Sequence, residues 1–160
     1  MTIKVGDRIP VAMLMQLKDG SAHPVHSDDL FKGRKIALFA VPGAFTSTCS
    51  VKHLPSFLQN AEAIRAKGVD EIICIAVNDP YVMRAWGEHN NAGGKVTMIS
   101  DGNGDFTRAL GLEADMARFG MGKRSRRYSM IVEDRVVKVF NLEEPGSFSV
   151  SSGDHLLKQL

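Results

Sequence analysis

Three short apolar segments, each followed by a break and a helical pattern, constrain the fold of this chain most strongly. Residues 35–41 (KIALFAV), 71–77 (EIICIAV) and 96–100 (VTMIS) have the length and β-branched content of buried strands. Apolar residues recur at helical spacing after the first strand up to Gly68, and a second helical pattern ends near His89. Strands that alternate with helices predict an α/β fold with helices layered against a sheet.

The two ends of the chain add antiparallel elements to this pattern. Asp19-Gly20, within the first thirty residues, suggests an N-terminal hairpin or loop. The strand-like segments 128–133 and 136–140 flank a two-residue turn, and residues 152–160 resemble a capped helix. We therefore predict a mixed central sheet flanked by helices, with a thioredoxin-like core and an N-terminal hairpin, in a single domain spanning residues 1–160.

Composition excludes several classes of protein. A formal net charge of +2 is too small to indicate nucleic acid or an anionic membrane as the main partner. Eighteen apolar residues never run together, and Met1–Lys4 lead into a mixed segment without signal-peptide features. Two cysteines, Cys49 and Cys74, do not make a secreted disulfide scaffold. These features together predict a cytoplasmic protein.

The chemistry that the sequence offers is centred on Cys49. The strand ending at Val41 is followed by a turn of proline, glycine and hydroxyl residues, which places Cys49 in the first turn of the next helix. Unpaired N–H groups and the positive end of the helix dipole favour a thiolate there. A free cysteine is more often a small buried hydrophobe. Such a turn is nevertheless a poor place to bury a core residue, so we expect Cys49 to be exposed and reactive.

The segment around Cys49 resembles the active-site motif of the peroxiredoxins. Pro42-x-x-x-Thr46-x-x-Cys49 matches the family motif, and Pro42-Gly43-Ala44-Phe45-Thr46 is similar to the type II (five-like) subfamily. Ser47 departs from the pattern, since many relatives carry a second proline there. The resemblance covers nearly the whole chain, through Val77-Asn78-Asp79 with Trp86, Ser100-Asp101-Gly102 and Arg127-Tyr128-Ser129.

This resemblance implies a peroxidase that reduces hydrogen peroxide and organic hydroperoxides without metal, haem or flavin. Cys49 would be the nucleophile that becomes a sulfenic acid. Thr46 would hydrogen-bond the thiolate and the peroxide, and Pro42 would shield the thiolate from water. Arg127 would hold both reactants and stabilise the leaving oxygen. Within the basic run 123–127 only Arg127 precedes the Tyr-Ser pair of the subfamily; the other basic residues could attract an anionic reductant.

The same resemblance bears on how the enzyme is reset. Cys74 lies within an apolar strand and is interpreted as an inert core cysteine. Some type II relatives carry a resolving cysteine near the C-terminus, but residues 148–152 contain no thiol. We therefore expect a one-cysteine enzyme reduced by glutathione, with or without glutaredoxin, and thioredoxin as the alternative. The subfamily also suggests a symmetric homodimer formed through the loops bearing Phe45 and Pro80-Tyr81.

Other functions are less consistent with these residues. No C-x-x-C pair follows Cys49, which argues against a thiol–disulfide oxidoreductase. His53 lies four residues after Cys49 and suggests a metal pair or a Cys–His hydrolase, but no zinc-ligand spacing is completed. Residues 120–123 lack the pattern of a phosphate-binding loop. A thioredoxin-fold binding or chaperone module remains the non-enzymatic alternative, and it requires an unreactive Cys49.

Overall fold

The computed structural model describes residues 1–160, and a seven-stranded sheet of order β2-β1-β5-β4-β3-β8-β9 forms its centre. The strands are β1 (Met13–Lys18), β2 (Ser21–His26), β3 (Lys35–Ala40), β4 (Glu71–Ala76), β5 (Thr97–Ser100), β6 (Glu113–Asp115), β7 (Lys123–Ser125), β8 (Tyr128–Glu133) and β9 (Val136–Leu142). β6 and β7 pair only with each other. The helices are α1 (Ser27–Phe31), α2 (Leu54–Ala66), α3 (Pro80–His89), α4 (Asp105–Leu110) and α5 (Gly153–Lys158), with a π-helical turn at Cys49–His53 and a 3-10 turn at Ala117–Phe119.

The sheet is parallel at its centre and antiparallel at both sides. β3, β4 and β5 run parallel, β8 joins β3 antiparallel and continues into the β8–β9 hairpin, and β1 joins β5 antiparallel. The turn residues Asp19 and Gly20 of the β1–β2 hairpin both have positive φ, as a two-residue type I′ turn requires. The predicted mixed α/β sheet with a thioredoxin-like core and an N-terminal hairpin is confirmed.

Apolar side chains cover both faces of β3, which explains its uninterrupted hydrophobic sequence. Ala37 and Phe39 belong to a core of 19 buried residues on the face covered by α2. Ile36 and Leu38 belong to a second core of 18 buried residues on the other face. Phe39 stacks on Phe57 of α2 with ring centroids 4.0 Å apart. This packing fixes the helix that follows β3 against the sheet.

Helix boundaries follow the capping signals in the sequence. The Asp79 side chain accepts a hydrogen bond from the Val82 amide and begins α3, with Pro80 in its first turn. Ser152 caps α5 in the same way through the His155 amide. The sequence did not predict β6, β7 and α1, because elements of three or five residues show too little periodicity. None of the helices has both the length and the apolar character needed to cross a membrane.

Candidate active site

The pairing of β3 with β8 brings two distant parts of the chain to one edge of the sheet. Ala40, the last residue of β3, pairs with Tyr128, the first residue of β8. Because the strands are antiparallel, the chain leaving β3 towards Pro42 and the residue preceding β8, Arg127, lie at the same edge. The register of one strand pair therefore sets Arg127 beside the loop that leads to Cys49.

Cys49 begins a π-helical turn that ends where α2 starts. Pro55, in the first turn of α2, has no N–H to donate. It therefore marks the junction between the two hydrogen-bond patterns, as expected from a proline that ends the first helical segment. The indole N–H of Trp86 donates to Ser50 Oγ at 3.0 Å and ties this turn to α3. Single π-turns inside helices recur at functional sites.

Cys49 is buried, with 0% of its side chain exposed. The expectation of an exposed cysteine is therefore wrong. The turn that precedes it is polar, but the helix it enters packs onto the core of β3, and Cys49 belongs to that core. One guanidinium nitrogen, Arg127 Nη2, donates to Cys49 Sγ at 3.1 Å. Arg127 therefore holds a fixed cation directly against the sulfur through a charge-assisted hydrogen bond.

His53 holds the other side of the Arg127 guanidinium. Arg127 Nη1 donates to His53 Nδ1 at 2.8 Å, and the opposite ring nitrogen, Nε2, donates to the Ser151 carbonyl at 2.9 Å. Burial and the positive charge of Arg127 lower the pKa of His53 from 6.5 to about 3, although the Ser151 carbonyl acts in the opposite direction. His53 is therefore neutral, with its proton on Nε2.

This role of His53 was missed in the sequence, where its spacing from Cys49 suggested coincidence, a metal pair or a hydrolase. The signal was present, because a residue four positions along a helix lies on the same face. His53 uses that position to orient Arg127 rather than to touch Cys49. No group of three or more His, Cys, Asp or Glu side chains is arranged so that it could hold a metal ion.

The motif loop before Cys49 is braced by its own hydrogen bonds. The Thr46 hydroxyl donates to the Gly43 carbonyl at 2.6 Å, and the Ala44 amide donates to Asn78 Oδ1 at 2.9 Å. The single hydroxyl proton of Thr46 thus satisfies a turn carbonyl instead of the Cys49 sulfur, which differs from the expected contact. The oxygen of Thr46 keeps lone pairs that can accept a hydrogen bond. Pro42, the first residue after the strand segment that ends at Val41, is half-buried.

The three arginines before β8 have no acidic partners, whereas Lys123 pairs with Asp115 at 3.2 Å. None of the ion pairs in the structure involves Arg124, Arg126 or Arg127. Arg124 Nε donates to the Met121 carbonyl, and Arg126 Nη2 donates to the Glu143 carbonyl at 3.0 Å. Since neutral carbonyls do not cancel the guanidinium charges, this edge of the sheet stays electropositive.

Two cavities, of about 340 and 350 Å³, lie away from this edge and include none of the residues that contact Cys49. The first is lined by residues of β1, α3 and β5, and the second by residues near the N-terminus.

Comparison with known proteins assigns this arrangement to a family. The model of the Redoxin family matches residues 4–157. Peroxiredoxin-2E-2, chloroplastic, of Oryza sativa subsp. japonica is 52% identical over 99% of this chain and 73% of its own length. The chain belongs to the peroxiredoxin family. The crystal structure of reduced Prx3 in complex with H2O2 from Vibrio vulnificus is similar, with a TM-score of 0.95 and 47% identity over 99% of each chain.

The predicted peroxiredoxin resemblance and its thiol peroxidase function are thus confirmed. The protein is an enzyme, and like other peroxiredoxins it uses thiol reductants and needs no prosthetic group.

The prediction of a cytoplasmic location is contradicted by the relatives of this peroxiredoxin. Besides the rice protein, Peroxiredoxin-2E of Arabidopsis thaliana is named chloroplastic; it is 48% identical over 99% of this chain and 70% of its own length. Peroxiredoxin-2F of rice, named mitochondrial, is 41% identical over 82% of this chain and 67% of its own length. The prediction failed because a small net charge and two free cysteines do not distinguish one reducing compartment from another.

Cys74 lies at the centre of β4, opposite Phe39 of β3, and is fully buried. Burial, and then the charge of Cys49, raise the pKa of the Cys74 thiol well above its ordinary value of 9.0. A thiol that is neither accessible nor ionised is a poor nucleophile. Its position fits the interpretation of an inert core cysteine, and both cysteines of this peroxiredoxin are free.

The neutral state of His53 predicts a pH dependence of stability. The unfolded chain binds a proton at His53 near pH 6.5, whereas the folded protein accepts it only near pH 3. The free energy of unfolding should therefore fall by about 1.4 kcal/mol for each pH unit below about 6.5, and the full contribution should be present above that value. The free energy of unfolding, measured with urea across this pH range, should depend less steeply on pH in His53→Gln. His23→Gln, at an exposed histidine, should keep the steep pH dependence of the parent. Equal slopes for both variants would contradict the assignment.

Proposed function

We propose that this peroxiredoxin reduces hydrogen peroxide and organic hydroperoxides at Cys49, and that an external thiol, glutathione in the first place, resets it. The observation that carries this proposal is the 3.1 Å hydrogen bond from Arg127 Nη2 to Cys49 Sγ. It combines a nucleophilic sulfur with a fixed cation that can also stabilise negative charge as the reaction proceeds.

In the first step, the Cys49 thiolate attacks the terminal oxygen of the hydroperoxide. The S–O bond forms as the O–O bond breaks, so the sulfur is oxidised by two electrons and the peroxide is reduced. The transferred oxygen keeps its proton and gives Cys49 sulfenic acid. The leaving oxygen takes a proton from solvent and departs as water or an alcohol. Arg127 stabilises the charge that moves onto that oxygen.

Three other residues support this step. Thr46 can accept the hydrogen bond of the incoming peroxide, because its own proton is donated to the Gly43 carbonyl. Pro42 is half-buried just after β3, and its part in this proposal is to shield the sulfur from water. His53 acts through Arg127 and is a positioning residue, since the ring contacts the guanidinium and the Ser151 carbonyl. A guanidinium fixed by two partners loses little freedom in the transition state.

The reset step needs a thiol from outside the chain. Glutathione thiolate attacks the sulfenic sulfur, and hydroxide leaves and is protonated to water. A second glutathione, or a glutaredoxin thiol, then attacks the glutathione sulfur of the mixed disulfide and releases the Cys49 thiolate. Cys74 is buried within β4, and residues 148–152 carry no cysteine, so neither supplies a resolving thiol.

Charge supports glutathione as the first choice of reductant. The guanidinium of Arg124 lies beside Gly43 of the motif loop, with Nη1 3.3 Å from the position that a Cβ on Gly43 would take. It has no carboxylate partner, so it is available to the carboxylates of the tripeptide. Thioredoxin remains the alternative reductant.

Mass spectrometry after one equivalent of hydrogen peroxide, with and without glutathione, tests the one-cysteine cycle. We expect one oxygen at Cys49 without glutathione, a glutathione adduct at Cys49 with it, and an unmodified Cys74. The matched variant Cys74→Ser should turn over peroxide at the parent rate, because Cys74 takes no part. An internal Cys49–Cys74 disulfide, or lost turnover in Cys74→Ser, would refute the one-cysteine proposal. A sulfenic acid that reacts with thioredoxin but not with glutathione would refute the choice of reductant.

The same proposal includes a symmetric homodimer. Phe45 and Tyr81, large hydrophobic residues on the motif loop and the first turn of α3, are 51% and 58% exposed. The ring of His89, the last residue of α3, lies 5.8 Å from that of Phe45, so the motif loop packs beside α3. Light scattering at micromolar concentration should give a dimer mass, and Phe45→Glu should reduce it to a monomer. Phe119→Glu, at a phenylalanine on the 3-10 turn that is 61% exposed, is the control, and a monomeric parent would refute the proposal.

A further inference from the structure

A buried carboxylate lies just beyond β9 and takes no part in the peroxide chemistry described above. Glu143 is 2% exposed. No cation pairs with it in any ion pair of the structure. Burying a carboxylate is costly unless several donors compensate for the lost water.

The donors all come from one short loop. Oε2 of Glu143 accepts hydrogen bonds from the amides of Ser149, Val150 and Ser151 at 2.8, 2.9 and 2.9 Å, and from Ser151 Oγ at 2.7 Å. Ser149 Oγ donates to Oε1 at 3.3 Å. Successive amides around one anion form a compact binding nest. Burial raises the pKa of Glu143, but the donors led by Ser151 outweigh it and lower the pKa below its ordinary value of 4.5.

This loop has no regular secondary structure that would otherwise fix it. Residues 143–152, between β9 and α5, form neither strand nor helix. Three consecutive amides of the loop depend on the Glu143 side chain. The backbone amide of Glu143 is itself anchored, since it donates to the Arg127 carbonyl at 3.0 Å. Glu143 therefore links the loop to the backbone of Arg127.

The loop in turn holds the side chain of Arg127. The Ser151 carbonyl accepts from His53 Nε2, and His53 Nδ1 accepts from Arg127 Nη1. The hydrogen bonds thus form a closed circuit that starts at the Arg127 carbonyl, passes through Glu143, Ser151 and His53, and returns to the Arg127 guanidinium. Cys49 is the one reacting group attached to it, through Arg127 Nη2.

We propose that Glu143 is a positioning residue of the peroxidase reaction, which holds residues 149–151 so that the Ser151 carbonyl and His53 orient Arg127 towards Cys49. This inference rests on the proposed role of Arg127. Without the nest the loop loses its anchor, the His53 ring loses its fixed acceptor, and the guanidinium becomes free to turn away from the sulfur. Since a displacement of about 1 Å can cost about a hundredfold in rate, Glu143→Ala should lower the rate of Cys49 oxidation by about tenfold to a hundredfold.

A double-mutant cycle with Arg127→Gln separates positioning from general structural damage. The measured quantity is the second-order rate of Cys49 oxidation by hydrogen peroxide in a single turnover, with circular dichroism as a check of folding. In the Arg127→Gln background, Glu143→Ala should cost nothing more, because there is no guanidinium left to orient. Glu143→Gln keeps an acceptor oxygen for the nest and should recover most of the rate. Glu144→Ala, at the adjacent exposed carboxylate, should leave the rate unchanged.

Three results would overturn the proposal: an unchanged rate in Glu143→Ala, an equal loss with and without Arg127, or an equal loss in Glu144→Ala. If Glu143→Ala does not fold, the same cycle is run with Glu143→Asp, whose carboxylate is one methylene too short for the nest. The single variant Arg127→Gln tests the proposed function separately. If Arg127→Gln oxidised Cys49 at the parent rate, the proposed role of Arg127 would be wrong. If Arg127→Gln lost rate but the effects of the two substitutions were simply additive, only the proposed role of Glu143 would be wrong.

Discussion

Cys49→Ser is expected to reduce hydroperoxide consumption to the uncatalysed background. A serine hydroxyl is neither ionised at neutral pH nor able to accept the two-electron oxidation that sulfur undergoes, so no covalent intermediate forms. Enzymes exceed uncatalysed reactions by about 10⁶-fold or more, and a loss of this order should follow from the exchange of one atom. Consumption of hydrogen peroxide with excess reductant, followed over time, measures it.

Cys74→Ser is the matched control for this prediction, because it makes the same atomic exchange in the other cysteine of the chain. Cys74 lies within the sheet at β4 and should leave peroxide consumption unchanged. A Cys49→Ser variant that still consumed peroxide at the parent rate would remove Cys49 from the reaction.

The fold and the candidate motif around Cys49 could be read from the sequence because their signals are local. The apolar runs of β3 and β4 and the spacing of Pro42, Thr46 and Cys49 are each contained within a few residues of sequence. Arg127 is distant from Cys49 along the chain, and only the family pattern identified it among four neighbouring basic residues. In the structure, the pairing of Ala40 with Tyr128 sets the position of Arg127. This register could not be predicted, because the sequence of a single strand does not show which residues of another strand it pairs with.

The residues that support the site could not be predicted, because their roles depend on contacts between distant segments. His53 and Ser151 are 98 residues apart in sequence and meet only when α5 packs against α2. Glu143 is one of two adjacent glutamates, and nothing in the sequence distinguishes the buried carboxylate from the exposed Glu144. The burial of Cys49 was missed for the same reason, since it depends on the core that its helix enters.

Arg127→Gln is expected to lower the second-order rate of Cys49 oxidation by about a hundredfold to a thousandfold, the usual cost of removing one fixed donor to a developing charge. The variant keeps a side chain of similar length but loses the charge that faces the sulfur and the leaving oxygen. Arg127→Lys restores the charge and should recover part of the rate. It should not recover all of it, because an ammonium lacks the planar fork that serves Cys49 Sγ and His53 Nδ1 together.

Arg124→Gln provides the control for charge alone. It removes the same charge from the same basic segment. The Arg124 guanidinium donates its hydrogen bond to the Met121 carbonyl, however, and not to the Cys49 sulfur. Single-turnover oxidation by hydrogen peroxide isolates the first step from any effect on the reductant, and in this assay Arg124→Gln should match the parent. Equal losses in both variants would mean that the general positive potential of this edge drives the reaction. A loss confined to Arg127→Gln would mean that the directed hydrogen bond to Cys49 drives the reaction, because only Arg127 donates to the sulfur.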